Sequence, residues 1–182
     1  MNLLFATHNP NKVREFKEIL HGIAEVEQLN EEYPEIQADT SEEVALESVK
    51  KLAEKYKKTI VVEDSGLFID ALKGFPGVYS SPIHKQIGLP GILKLMEGVD
   101  KRGAAYKSAV GYCEPGKLPL VFSGEEKGTI ATSIRGTHGF GHDPIFIPEH
   151  ETQTYGELAD GSTKKQFRRR ALDKLLKQLR GS

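Results

Sequence analysis

The sequence predicts an α/β fold, and two observations carry that reading. Apolar residues recur alternately at strand and helix spacing through the first sixty or so positions. Strand-like runs then dominate until a basic closing helix. At 182 residues the chain is long enough to bury a substantial core, in one domain over 1–182 or in one core with two lobes. No repeat, low-complexity tract or long linker divides it.

Met1 to Ala6 reads as a short buried strand. Val13, Phe16 and Leu20 follow at helical spacing, which predicts a helix from about Pro10 to His21, stopped by Gly22. Ala24 to Leu29 reads as a second strand. Thr40-Ser41-Glu42-Glu43 is a capping-box pattern, and Val44, Val49, Leu52, Ala53 and Tyr56 give the helix that follows its apolar face. Thr59 to Val62 is a β-branched strand of the kind buried on both faces. Beyond a Phe75-Pro76-Gly77 turn, a short helix is expected around Ile92 to Met96. Strands are expected at Ala104–Cys113 and Leu118–Gly124, joined through Glu114-Pro115-Gly116. A further strand near Gly128–Ala131 leads to a Gly-rich loop, and a helix from about Thr163 to Leu179 closes the chain.

Composition excludes several function classes. A formal net charge of -1 gives no global pull toward nucleic acid or an anionic membrane. Cys113 is the only cysteine, so there is no internal disulfide framework and no thiolate metal site, and a reducing cytoplasmic setting is expected. The N-terminal apolar run is too short for a secretory signal core, and no segment has the length of a membrane span.

Four segments carry chemistry. The loop Thr7-His8-Asn9-Pro10-Asn11-Lys12 stands at a strand-to-helix junction, where unpaired N–H groups and the helix dipole favour an anion. Lys12 adds a charge and Thr7 and Asn9 add short polar side chains, a combination suited to a phosphate chain, although Asn9 could equally cap the helix. It is not a Walker A loop. Glu63-Asp64-Ser65-Gly66 follows the buried strand; adjacent acids there suit Mg²⁺, while Asp64 and Ser65 could instead cap a turn. Gly136 to Pro144 places three glycines around Phe140, an aromatic expected to be exposed and to stack on a nucleobase. Its His138 and His142 lack a third ligand for zinc, and are expected to find solvent or backbone partners. Finally, Lys164 to Arg180 holds eight Lys or Arg and one acid, Asp173, on an amphipathic helix, fitting either an anionic partner or a helix docked on the core.

Taken in order, these segments resemble one family, the inosine triphosphate pyrophosphatases, which hydrolyse non-standard purine nucleoside triphosphates. Thr7-x-Asn9-x-x-Lys12 resembles its phosphate-binding signature, Pro34-Glu35-Ile36-Gln37 its acidic segment, and Val62 to Leu67 its catalytic segment. Gly74 to Ser80, Gly139 to Phe146 and Tyr155 to Leu158 are similar to its later motifs, so the resemblance covers nearly the whole chain. It implies an elongated, two-lobed α/β fold with a long mixed sheet, flanking helices and a cleft between the lobes, usually dimeric. It implies release of pyrophosphate from ITP, dITP and XTP, by water attack at the α-phosphorus with Mg²⁺, or Mn²⁺ in its place.

Carried over by position, Glu35 and Asp64 become metal ligands, Asp64 also the base, and Lys12 a catalytic cation. Thr7, His8, Asn9, Pro10, Asn11 and Lys12 would hold phosphate. Ser65, Phe140, Gly141, His142, Asp143, Lys164 and Arg168 would contact the nucleotide, with Arg168 aimed at the 6-oxo group. The family's closing Lys…Ser-His-Arg reads here Lys164-Lys165-Gln166-Phe167-Arg168, which leaves open which lysine takes the family role. Two other readings stand beside it: a Maf-like pyrophosphatase of pyrimidine or modified nucleotides, and a non-catalytic nucleotide- or nucleic-acid-binding module.

Overall fold

A computed structural model of the chain describes residues 2–31 and 38–180, those at 162 and 163 by backbone only. Six strands form one mixed sheet in the order β2-β1-β3-β4-β5-β6. They are β1 (Asn2–Ala6), β2 (Glu25–Leu29), β3 (Ile60–Ile69), β4 (Gly103–Cys113), β5 (Leu120–Ile130) and β6 (Phe146–Pro148). The helices are α1 (Pro10–Ile19), α2 (Ser41–Tyr56), α3 (Ser80–Leu95), α4 (Gly161–Lys164) and α5 (Gln166–Arg180). β1 runs parallel to β2, with Leu3 opposite Val26, and parallel to β3, with Leu4 opposite Ile60. β5 and β6 are antiparallel, with Thr129 opposite Ile147. The α/β class with a mixed sheet and flanking helices is as the sequence predicts.

The chain divides into two compact units: Met1–Asp64, Ser108–Gly124 and Phe167–Ser182 form the first, Ser65–Lys107 and Glu125–Gln166 the second. The first unit is built on strand alternation. Val61 and Val110 join the α1 and α5 side chains Val13, Phe16, Leu172 and Leu176, where the Phe5 and Phe16 rings stack at 3.9 Å. Their neighbours Ile60, Val62 and Ala109 face the other way, onto Val49, Leu52 and Ala53 of α2. The capping box of α2 is present in full: Thr40 Oγ1 accepts from the Glu43 N–H, and Glu43 accepts from the Thr40 N–H.

β3 continues past Val62 through Glu63-Asp64-Ser65-Gly66, so these residues lie within a strand and not at its carboxyl end; the second unit begins at Ser65. Gly66 is required there, because a Cβ on it would fall 2.1 Å from the Gly77 carbonyl oxygen and 2.9 Å from Ser80 Oγ. That hydroxyl accepts from the Leu67 N–H and donates to the Gly77 carbonyl, tying strand to turn. α3 begins a full three turns before the expected Ile92 and is interrupted at Gly88 (φ 60°, ψ −169°), just before Pro90. The two strand runs Leu118–Gly124 and Gly128–Ala131 are one strand, β5.

Candidate active site

The loop after β1 is anchored in the first unit. The Thr7 N–H donates to the Leu29 carbonyl (3.1 Å), and the Thr7 carbonyl accepts from Gln28 Nε2 (2.8 Å). Asn9 is the N-cap of α1: its Oδ1 accepts from the Asn11 and Lys12 amides at 3.0 and 3.4 Å. Pro10 has no N–H, and the Val13 N–H returns to the Asn9 carbonyl. The expected unpaired amides of the first turn are therefore absent, because the helix caps itself. An anion here would be met by side chains. His8 is exposed and donates from Nδ1 to Asn30 Oδ1 (2.6 Å).

Lys12 enters a buried ionic network. Its ammonium donates to Glu63 Oε2 and to the Glu63 carbonyl, each at 2.9 Å. Glu63 Oε1 also accepts from Ser108 Oγ (2.8 Å) and Arg168 Nε (3.0 Å), and Oε2 from Arg168 Nη2 (3.4 Å). Arg168 Nη1 bonds Glu15, which is completely buried. Two carboxylates thus face two cations, an arrangement that offsets the cost of removing the four charges from water. The Arg168 guanidinium, 1% exposed, is held by the carboxylates Glu15 and Glu63 of its own unit, where the resemblance implied a contact to the 6-oxo group of the base.

Alternation along β3 also separates the acids. Glu63 follows the register of Val61, toward α1 and α5, and Asp64 that of Val62, toward α2. The adjacent pair therefore cannot grip one ion together. Glu63 is taken up by cations, and Asp64 is 8% exposed. Glu35 lies outside the described residues, and among those described no three metal-binding side chains gather.

In the second unit the Gly-rich loop folds over Asp143, 1% exposed. Asp143 Oδ2 accepts from the Phe140 N–H (2.7 Å) and from the Lys165 ammonium (2.9 Å), and Oδ1 from the Tyr106 hydroxyl (3.3 Å). Gly139 (φ +75°) permits this, since a Cβ there would lie 2.1 Å from Asp143 Oδ2. Lys165 Nζ stands 4.4 Å from the centre of the Phe140 ring, which is half-buried where the sequence suggested exposure. Asp143 thus holds the loop together. Of the two lysines, Lys164 is exposed and pairs with Asp160 (3.4 Å), while Lys165, 2% exposed, occupies the cluster. Ser65 is half-buried in β3, and Gly141 is left-handed (φ +62°) with open space beside it.

His142 departs from expectation as well. It is 4% exposed, packs edge-on to His84 (centroids 5.0 Å apart), and its Nε2 has no partner among the described residues. Burial, helped by the neighbouring imidazole, pulls it down to about 4, so it is neutral. His138 is apart from it and exposed, with its N–H on the Gly156 carbonyl.

Glu15, Ser108, Tyr106 and Glu126 were not singled out from the sequence as functional; Glu63 was read there as an acid suited to Mg²⁺, and Lys165 as one of two candidates for the family lysine. Glu15 and Glu63 did carry a signal: each is a charge inside an apolar pattern, Glu15 among Val13, Phe16 and Ile19, and Glu63 after Ile60-Val61-Val62.

A mixed-sheet α/β protein with a carboxylate–cation network in one unit and a carboxylate–lysine–aromatic cluster in the other defines the class. The chain belongs to the Ham1 family, whose model matches residues 3–178. It is 52% identical over 160 residues to the dITP/XTP pyrophosphatase of Methanopyrus kandleri, covering 87% of this chain and 85% of that one. It is 46% identical over 176 residues to the enzyme of the same name from Methanosarcina mazei, covering 96% and 95%. The solved Ham1 protein of Staphylococcus aureus superposes with a TM-score of 0.84 at 27% identity, covering 100% of this chain and 99% of that one.

Proposed function

We propose that this chain hydrolyses ITP, dITP and XTP to the nucleoside monophosphate and pyrophosphate, clearing non-standard purines from the nucleotide pool. One observation carries the reading: a lysine ammonium held by a buried carboxylate against the face of Phe140. Such a platform offers a purine a stacking surface and a cation for its 6-oxo acceptor. Adenine presents a 6-amino donor there, and a buried unpaired donor costs about 1–3 kcal/mol. The relatives, named dITP/XTP pyrophosphatases over most of the chain, support the same substrate class and favour neither a pyrimidine pyrophosphatase nor a nucleic-acid-binding module.

In the first unit, Lys12 offers the phosphates an ammonium with two of its three N–H directions already on Glu63. Asp64, with Glu35, would hold Mg²⁺, or Mn²⁺, which takes one or two protein carboxylates and fills its other positions with water and phosphate oxygens. Asp64 fits that demand as a hard oxygen donor on β3, the residue after Glu63. The ion supplies neutralisation of the triphosphate when bound. Asp64 then accepts the proton of a water attacking the α-phosphorus, and the Lys12 cation stabilises charge gathering on the leaving pyrophosphate.

We extend the proposal to a homodimer. Phe75, Tyr79, Ile87 and Leu95, on α3 or the turn before it, are 36–47% exposed, an apolar group suited to a second copy of the same surface. Sedimentation at micromolar concentration tests it, and a monomer there refutes it. Among the described residues no helix is long and apolar enough to cross a membrane. A cytoplasmic setting belongs to the same proposal and rests on the lone Cys113.

The test is turnover of ITP, XTP, dITP, ATP, GTP and dTTP with and without Mg²⁺, in ¹⁸O-labelled water. Pyrophosphate from ITP, dITP and XTP, with the label in the monophosphate, is expected. Orthophosphate as product, label in the pyrophosphate, or equal turnover of ATP would each defeat part of the proposal.

A further inference from the structure

Glu126 sits on β5 in the second unit, 7% exposed, and has no part in the chemistry above. Burying a carboxylate is costly unless its hydrogen bonds are made. Here Oε1 accepts from the Tyr155 hydroxyl (2.6 Å) and Oε2 from the N–H of Gln166 (2.9 Å), the first residue of α5. A negative charge at that helix end also suits the dipole.

Lys165 is the single residue between α4 and α5, with φ −59° and ψ 106°. Its own N–H donates to the Gly161 carbonyl (3.2 Å), and the next N–H along the chain is the one on Glu126. The backbone that aims this lysine is therefore pinned on both sides. Tyr155, held by the same carboxylate, places its ring 5.8 Å from the Lys165 ammonium and stacks on Phe146. Burial and the Glu126 charge push the Tyr155 hydroxyl far above its ordinary range, so it stays a donor.

The geometry points to Glu126 as a positioning residue for base recognition, acting through Gln166 and Tyr155 to fix the Lys165 ammonium between Asp143 and the Phe140 ring. The inference rests on the base-reading role proposed for that cluster. Selectivity for an oxo-purine would then depend on a carboxylate that touches no substrate. A glutamine at this position can accept from the Gln166 N–H and donate to the Tyr155 oxygen, so it preserves the clamp; an alanine leaves both groups without it.

The test uses Glu126→Ala and Glu126→Gln in the whole chain, with two readouts. The first is acetylation of Lys165 by an N-hydroxysuccinimide ester, followed by peptide mass mapping with exposed Lys164 as internal reference. Lys165 should be slow in the parent and in Glu126→Gln, and about tenfold faster in Glu126→Ala, as expected on loss of one buried hydrogen bond. The second is kinetics: Glu126→Ala should raise KM for ITP and narrow the ITP/ATP ratio of kcat/KM by about tenfold, with kcat little changed and Glu126→Gln close to the parent. Lys165 still protected in Glu126→Ala, or an unchanged ITP/ATP ratio in a protein that has only lost thermal stability, overturns the proposal. If Glu126→Ala does not fold, Tyr155→Phe replaces it, with an intermediate rise in labelling expected and parental labelling overturning the inference. A parent that releases no pyrophosphate from ITP refutes the functional reading instead, while the labelling still decides whether Glu126 positions Lys165.

Discussion

Replacing His142 by phenylalanine should make the protein less sensitive to acid. Burial, with the nearby His84 imidazole adding to it, pulls His142 from its ordinary 6.5 to about 4. Between those values the unfolded chain holds a proton that the folded chain does not. Stability therefore rises with pH across this window and is lost as pH falls through it. Each pH unit is worth about 1.36 kcal/mol, so the full window costs about 3 kcal/mol. In a chain of this length that is a fall in Tm of about 6–12 °C. Carboxylates titrate over the same range but do so in both proteins, so the difference between the two slopes isolates the imidazole. Thermal melts of parent and His142→Phe from pH 7.5 to 4 would measure it. Parallel curves would refute the argument and mean that the buried ring finds a proton acceptor on acidification.

Three further outcomes are expected. Asp64→Asn should keep the fold, judged by its melting curve, and lose about 10²–10⁴ of pyrophosphate release, since an amide cannot take the proton from water; near-parental turnover would remove Asp64 from the mechanism. Phe140→Ala should raise KM for ITP about ten- to a hundredfold through lost stacking and affect kcat less, as steady-state kinetics would read. Arg168→Met takes a buried cation from Glu15 and Glu63, of which Glu63 keeps Lys12 and Ser108, and should cost about 3–5 kcal/mol in urea unfolding. It should lower kcat/KM for ITP and ATP alike, and a selective loss on ITP would mean that Arg168 reads the base after all.

Where local pattern and tertiary environment agree, the sequence is readable. The capping box at Thr40 and the self-contained strand β1 needed nothing beyond their own neighbourhoods. β3 was cut short because Glu63 and Asp64 end the apolar run; only Lys12 and Arg168, 51 and 105 residues away from Glu63, make that charge tolerable in a buried strand. Likewise Glu125-Glu126-Lys127 hid the continuity of β5. The start of α3 has no side-chain cap, and Gly88 and Pro90 interrupt its pattern. In the candidate site the right segments were visible but the division of labour was not. Lys164 and Lys165 are indistinguishable by type, and the break between α4 and α5 decides which one turns inward. The pairing of Arg168 with Glu15 and Glu63 is not legible in the sequence because both partners are remote along the chain.

The self-capping of α1 changes how a phosphate chain would be felt there. Main-chain amides grip an anion at fixed points and hold substrate and product alike. With Asn9 occupying those amides, the pull would fall to the Lys12 ammonium, itself shared with Glu63. Such a cation attracts a resting triphosphate only weakly. On the proposed mechanism its attraction would grow as negative charge accumulates on the departing pyrophosphate. An arrangement of this kind binds little at the outset and most when the bond is breaking, and it leaves the turn at the head of α1 free of any rigid hold on the product.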